Sequence, residues 1–122
     1  KITSKIIVLA DLLLIPILPS GLDIWASELF LQRYEDAQVE KEQPIPARFI
    51  LNRYRANTNM SKEVKEVLKD TSIQVCESTI KDRTAYAEAV IKGVGVYEYK
   101  DDKAKAEFTQ LYNEIFSIVK SI

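Results

Sequence analysis

Five basic side chains fall close together in the middle of this sequence: Arg48, Arg53, Arg55, Lys62 and Lys65. Neutralising the phosphates of a nucleic acid is the chemistry such a cluster supports, and binding of that kind weakens as salt rises. An ordinary solvated face fits the same residues equally well, and Glu63 and Glu66 dilute the patch. A second set of residues surrounds the run from Asp11 to Asp23, an apolar strand that closes in Pro19, Ser20 and Gly21 before a helix opens at Asp23. In open α/β sheets ligands bind just beyond the carboxyl ends of such strands, so this turn marks a candidate site. Asn52 ends another apolar run, Phe49-Ile50-Leu51. A carboxamide there can donate and accept at once, or it can cap its own turn. Arg83 stands at the start of a later helix, where a surface ion pair with Asp82 or Glu88 is the plain structural expectation.

Much other chemistry is excluded. The chain has no histidine and one cysteine, Cys76. Histidine-based triads are therefore absent, a zinc or soft-metal site is not expected, no internal disulfide can form, and a reducing compartment is expected. There is no GxxxxGK[ST] phosphate loop, no GxGxxG and no GxSxG nucleophile elbow; Gly93-Val94-Gly95 is too short for the first two and follows a helix. The 17 basic against 18 acidic residues leave a net charge of -1, so any DNA contact must come from a local patch. Lys1 and Lys5 before the apolar run Ile6–Leu18 mimic a signal peptide, but Asp11 interrupts a run already too short to span a bilayer. The first residue is lysine, from which we expect a chain that is processed, trimmed or excised from something longer.

The elements that must position these residues alternate between strand and helix. A short helix over Thr3–Ala10 precedes a strand over Leu12–Leu18, apolar on both faces as a strand covered from both sides should be. Pro16 within it favours an edge. A helix from Asp23, capped by that aspartate, runs to about Val39 with Trp25, Leu29 and also Ala26 and Phe30 as its apolar stripe. A charged connector over Glu40–Pro46 leads to a strand over Ala47–Leu51 and a polar loop over Asn52–Asn59. A helix over Ser61–Asp70 turns Val64, Val67 and Leu68 inward. Ile73–Cys76 is a third strand, extended by Ser78–Ile80 past a kink at Glu77. Asp82 opens a helix with Tyr86, Ala89 and Val90 on one face, closed by Gly93. Asp101 or Asp102 caps the last helix, where Phe108, Leu111, Tyr112, Ile115, Phe116 and Val119 follow helical spacing. Trp25, Tyr86, Tyr112 and Phe116 read as core, Cys76 as a small buried hydrophobe, and Glu107 with Asp101 and Asp102 as helix N-terminal charge. This pattern predicts one α/β unit over residues 1–122 with a parallel, doubly wound sheet and flanking helices. A receiver domain would need paired acidic residues after its first strand and a Lys-Pro after its last, and neither is present.

The stretch Asp11-Leu-Leu-Leu-Ile-Pro-Ile-Leu-Pro-Ser-Gly-Leu-Asp23 resembles the pattern aDLvliPvxPSpLD of ParA-type partition ATPases, the deviant Walker (MinD/ParA) class. Phe49-Ile-Leu-Asn-Arg53 is similar to that family's "vlNr" strand end. Thr79-Ile-Lys-Asp-Arg83, with Tyr86 and Ala89, is similar to its "txIxxRxxyxeA" helix entry, and Gly93-Val-Gly-Val-Tyr-Glu98 to its "GxsVxE". The resemblance covers the carboxyl-terminal part of a P-loop NTPase fold. The family's phosphate loop with its signature lysine, the switch aspartate and the Walker-B aspartate lie outside it, so no catalytic residue is expected in this chain, and by itself it is expected not to hydrolyse ATP.

The resemblance implies ATP and Mg²⁺ as cofactors of the parent protein. It implies nucleotide contacts from Asn52, Arg53, Ile80 and Arg83, with Asn52 reading the adenine edge; Arg83 could equally touch DNA phosphate. It implies a sandwich homodimer with Pro19, Ser20, Leu22 and Asp23 at the interface, Gly21 standing where the pattern usually has proline and loosening the loop. It implies non-specific DNA binding, for which Arg48, Arg55, Lys62 and Lys65 are the candidates, and a centromere-binding partition protein that stimulates hydrolysis in a bacterial, nucleoid-associated cytoplasmic setting. The strand over Leu12–Leu18 would otherwise be an apolar edge, and we expect it to pair with another copy or with the rest of the parent. Two other readings stay open. One is a MinD-like ATPase positioning cargo at a membrane, against which Glu107 and Glu114 on the last helix weigh. The other is a stand-alone α/β interaction module without nucleotide.

Overall fold

A computed structural model of the chain describes residues 2–19, 21–55 and 57–122, with side chains described at 4–19, 28–55 and 57–122. Strand β1 (Leu13–Ile17) lies against β2 (Ala47–Tyr54), and β2 lies against a third position filled by two short pieces, β3 (Gln74–Val75) and β4 (Ile80–Lys81). Every pairing is parallel. Parallel neighbours need a crossover between them. The chain supplies α2 (Gly21–Lys41) between β1 and β2 and α3 (Asn59–Lys69) between β2 and β3, with α1 (Ile2–Leu9) before the sheet and α4 (Thr84–Ile91) and α5 (Asp102–Ser121) after it. This is the parallel α/β sheet with helices on both faces that the alternation predicts.

Strand periodicity sorts the core into two layers. On one face Ile17, Ala47, Phe49 and Leu51 are buried with Ile7 of α1, Tyr34 and Ala37 of α2, and Val64 and Leu68 of α3. On the other face Ile50 and Cys76 are buried against Leu111 of α5, with Ile80, Ile115 and Ile118 around them. The connector after α2 is held by side chains. Tyr34 donates its hydroxyl to the Ile45 carbonyl, Gln38 Oε1 accepts the Ile45 N–H at 3.0 Å, and Lys41 Nζ donates to the Ala10 carbonyl at 2.7 Å. Among the described residues β1 pairs only with β2, and Leu14 within it and Leu18 just past it are exposed.

Several boundaries and faces differ from the sequence expectation, each for a physical reason. Strand β2 runs on to Tyr54 because β4 offers a partner beyond the kink, so Asn52 and Arg53 lie within a strand instead of opening a loop. Helix α2 begins at Gly21, which places Asp23 in its first turn and not at its cap. Its inward side chains are Phe30, Leu31, Tyr34 and Ala37, while Leu29 is exposed; the side chains of Trp25 and Ala26 lie outside the described residues. Helix α3 is capped by Thr58, whose hydroxyl oxygen accepts the Ser61 N–H at 3.2 Å. Asp82 does not cap α4; Arg83 occupies that position without a side-chain capping bond. Val67 and Val90 point outward, and Tyr112 and Phe116 are exposed and stacked on each other instead of filling the core. Gly93, with φ of 72°, takes the left-handed position just past α4 that a glycine accepts at least cost.

Candidate functional site at the carboxyl end of the sheet

The carboxyl ends of β1, β2 and β4 open into a crevice of about 360 Å³ lined by Leu18, Pro19, Arg53, Arg55, Thr58, Met60, Ser61 and Asp82. Three strand ends and the start of α3 meet here. Thr58 and Ser61 tie the β2–α3 loop together: the Thr58 hydroxyl lies 2.8 Å from Ser61 Oγ, and both hydroxyls donate to the Arg55 carbonyl, at 3.1 and 2.7 Å. Arg55 Nε donates to Asp82 Oδ2 at 2.8 Å, an exposed pair that joins the end of β2 to the segment after β4. Arg53 projects a cation onto the crevice wall.

A larger cleft of about 590 Å³ lies at the opposite end of the sheet, where Arg48, Lys69, Gln74, Glu77 and Glu114 line it. It sits at the amino ends of β2 and β3. In parallel sheets ligand sites form at the carboxyl ends, so the smaller crevice is the better candidate despite its size.

Asn52 and Ile80 are register partners in β2 and β4. Ile80 packs on the α5 side of the sheet. Asn52 Oδ1 accepts the N–H of Arg53 at 3.0 Å, which fixes the orientation of the carboxamide; Asn52 is not one of the crevice's lining residues. Pro19 lines the crevice; Ser20 and the side chains of Leu22 and Asp23 lie outside the described residues. Arg83 is spent elsewhere. Its Nε donates to Glu107 at 3.2 Å, and neither Asp82 nor Glu88 is its partner.

The structure brings Arg53 and Arg55 together at the crevice, while Arg48 stands at the other end of β2. Arg48 lies half-buried at the start of β2 and donates to the carbonyl of the preceding Ala47 at 2.8 Å. Arg55 is engaged with Asp82. Lys65 lies over the Tyr54 ring, 4.7 Å from its centroid. Lys62 is exposed on the first turns of α3.

Two carboxylates of α5 tie down β4 and the segment between β3 and β4. Glu107, read as helix N-terminal charge, is buried and accepts from the Lys81 N–H at 3.0 Å, Arg83 Nε and the Tyr86 hydroxyl at 2.6 Å. Glu114 accepts the N–H groups of Glu77 and Ser78, at 2.9 and 2.8 Å, across the gap between β3 and β4. Burial opposes ionisation of Glu114, yet the hydrogen bonds from Ser78, Glu77 and the Cys76 thiol hold its carboxyl below the usual range. Burial first, then the Glu114 charge and hydrogen bond, push the Cys76 thiol up to about 11. Burial and the bond to Glu107 also raise the Tyr86 hydroxyl. The signal for both glutamates was present: they share the face of α5 that carries Ala104, Leu111 and Ile118 (helical neighbours at three- and four-residue steps).

The crevice offers the Arg53 guanidinium beside the Arg55–Asp82 pair at a strand-end turn, which suits a ligand with an anionic group. The carboxamide of Asn52, one residue before Arg53, has the donor and acceptor that a heteroaromatic edge would need. Among the described residues no group of three Cys, Asp or Glu side chains converges as a metal-holding cluster would. No described helix is long and apolar enough to cross a membrane.

No family model matches the chain. It is 30% identical over 117 residues to the maintenance of carboxysome distribution protein A of Halothiobacillus neapolitanus, a match covering 93% of this chain and 53% of that protein. The chain thus spans about half the length of the curated relative it matches.

Proposed function

We propose that this chain is the adenine-side portion of a positioning ATPase of the ParA/MinD type. The observation that carries the reading is a convergence. Pro19, Arg53 and Asp82 come from three separate motif segments of the sequence, and all three line one crevice at the carboxyl end of the sheet. The similarity to a protein named for carboxysome distribution supports the same reading.

Each residue then has a task. Asn52 reads the base edge through its carboxamide, and Ile80, its register partner, supplies apolar wall. Arg53 meets the anionic part of the ligand from the crevice wall. Arg83 works through Glu107, holding the segment after β4 in place. Bound ATP with Mg²⁺ would supply the phosphoryl-transfer chemistry, with the phosphate-binding groups and metal ligands coming from parts of the parent protein beyond these residues. Pro19 and the turn after it would face the second subunit of a sandwich homodimer. Lys62 and Lys65, with Arg55 and Arg48 in lesser roles, would give weak, salt-sensitive contact with non-specific DNA, and a centromere-binding partner would stimulate hydrolysis. The name of the relative favours a second choice of cargo, a protein compartment in place of a replicon.

Calorimetric titration of the full-length gene product with ATP and Mg²⁺ tests the reading. Saturable binding is expected. No heat of binding at any temperature would overturn it and leave an α/β interaction module. Co-sedimentation with DNA that falls as salt rises would support the DNA arm, and no co-sedimentation at low salt would remove it.

A further inference from the structure

Strand β2 buries Ala47, Phe49 and Leu51 on the face shared with α1, α2 and α3. Unbroken alternation would send Arg53 onto that face next, and a guanidinium among those apolar side chains would be costly without a carboxylate partner. A bulge prevents this. Between the pairs Asn52–Ile80 and Tyr54–Lys81 the register slips by one residue of β2. Arg53 takes φ of 53°, and Tyr54 packs in its place against the core that β2 shares with α1, α2 and α3. Left-handed backbone is unfavourable for a residue with a Cβ and free for glycine. Bulges beside ligand sites commonly re-aim a side chain.

Two things follow from the left-handed turn at this one residue. The Arg53 guanidinium reaches the crevice wall, and the Arg53 N–H meets Asn52 Oδ1 at 3.0 Å. We infer that the bulge at Arg53 is a positioning device for the Asn52 carboxamide: it occupies one lone pair of Oδ1 and sets the Nδ2 hydrogens as the outward donors. The ligand feature so selected is a ring-nitrogen acceptor, as adenine has, in preference to the ring N–H that guanine presents on its pairing edge. This rests on the adenine reading proposed above, and adds that the backbone at position 53 carries part of the base discrimination. Arg53 is thus a positioning residue as well as a cation.

The test compares dissociation constants for ATP and GTP in the full-length gene product carrying Arg53→Gly, Arg53→Ala or Arg53→Val, each alone and with Asn52→Ala. All three substitutions remove the guanidinium, but only glycine accepts the left-handed backbone freely. Arg53→Gly is expected to keep the ATP-over-GTP ratio of the parent and to melt no lower. Arg53→Val is expected to lose about tenfold of that ratio, the worth of one good hydrogen bond, with Arg53→Ala between them. In the Asn52→Ala background the three should become equal. Should Arg53→Val fail to fold, the Gly and Ala pair decides. Equal ratios for Gly and Ala overturn the inference while leaving nucleotide binding intact. No ATP binding by the parent overturns the functional reading and the inference together.

Discussion

The Tyr86 hydroxyl of α4 donates to the Glu107 carboxylate of α5 at 2.6 Å, and the same carboxylate takes the Lys81 N–H and Arg83 Nε. One buried glutamate thereby joins the end of β4 to two helices. Removing it strands a backbone N–H, a guanidinium and a hydroxyl together. Glu107→Ala should cost about 2–4 kcal/mol of unfolding free energy, and Tyr86→Phe about 1 kcal/mol. Denaturant melts of the two variants check this. Equal, negligible losses would contradict the assignment.

Glu114 gives a pH dependence with a definite sign. Hydrogen bonds hold its carboxyl below its unfolded value, so its contribution is fully present above the unfolded pKa and is lost as pH falls through the folded pKa. Stability should therefore drop below about pH 4.3, the unperturbed glutamate value, and Glu114→Gln should flatten that part of the profile. Urea melts from pH 7 downward measure it. A variant as acid-sensitive as the parent would contradict it.

Cys76 is buried and its thiol is pushed up to about 11. The thiolate is the reactive form, so maleimide labelling at neutral pH should be slow in the folded chain and fast in denaturant. Prompt labelling of the folded chain would show that the Cys76–Ser78 gap opens readily.

Helix α2 ends at Lys41, and Glu42 just beyond it takes φ of 60° while exposed to solvent. Glycine belongs at such a position. Glu42→Gly should raise stability by about 0.5–1 kcal/mol, the left-handed cost of a side chain less the added chain entropy of glycine. A thermal melt that falls would contradict it.

The parallel sheet was legible because its strands are short apolar runs separated by helix-period segments, and even the kink at Glu77 shows as polar residues interrupting an apolar run. What escaped was set by contacts distant in sequence. Nothing local says that Asn52 has Ile80 as a partner, and without β4 the strand would indeed stop at Leu51. Arg48 and Arg55 look like one cluster in the sequence, yet they are seven strand positions apart, a separation of about 20 Å. Glu107 reads as helix N-terminal charge and Glu114 as an acid of the last helix, because sequence pattern reports polarity and not partners. Tyr112 and Phe116 read as core for the opposite reason: helical spacing identifies an apolar flank, but α5 is turned so that Leu111, Ile115 and Ile118 face the sheet instead.

Photo-crosslinking tests the central claim most directly. The full-length gene product would be labelled with an azido-substituted adenosine triphosphate, and the modified peptides sequenced. The account predicts label on the segment around Asn52–Arg55 or around Ile80–Arg83, suppressed by excess ATP. Label confined to the opposite cleft around Arg48, Lys69 and Gln74, or no ATP-suppressible label on this chain, would contradict it.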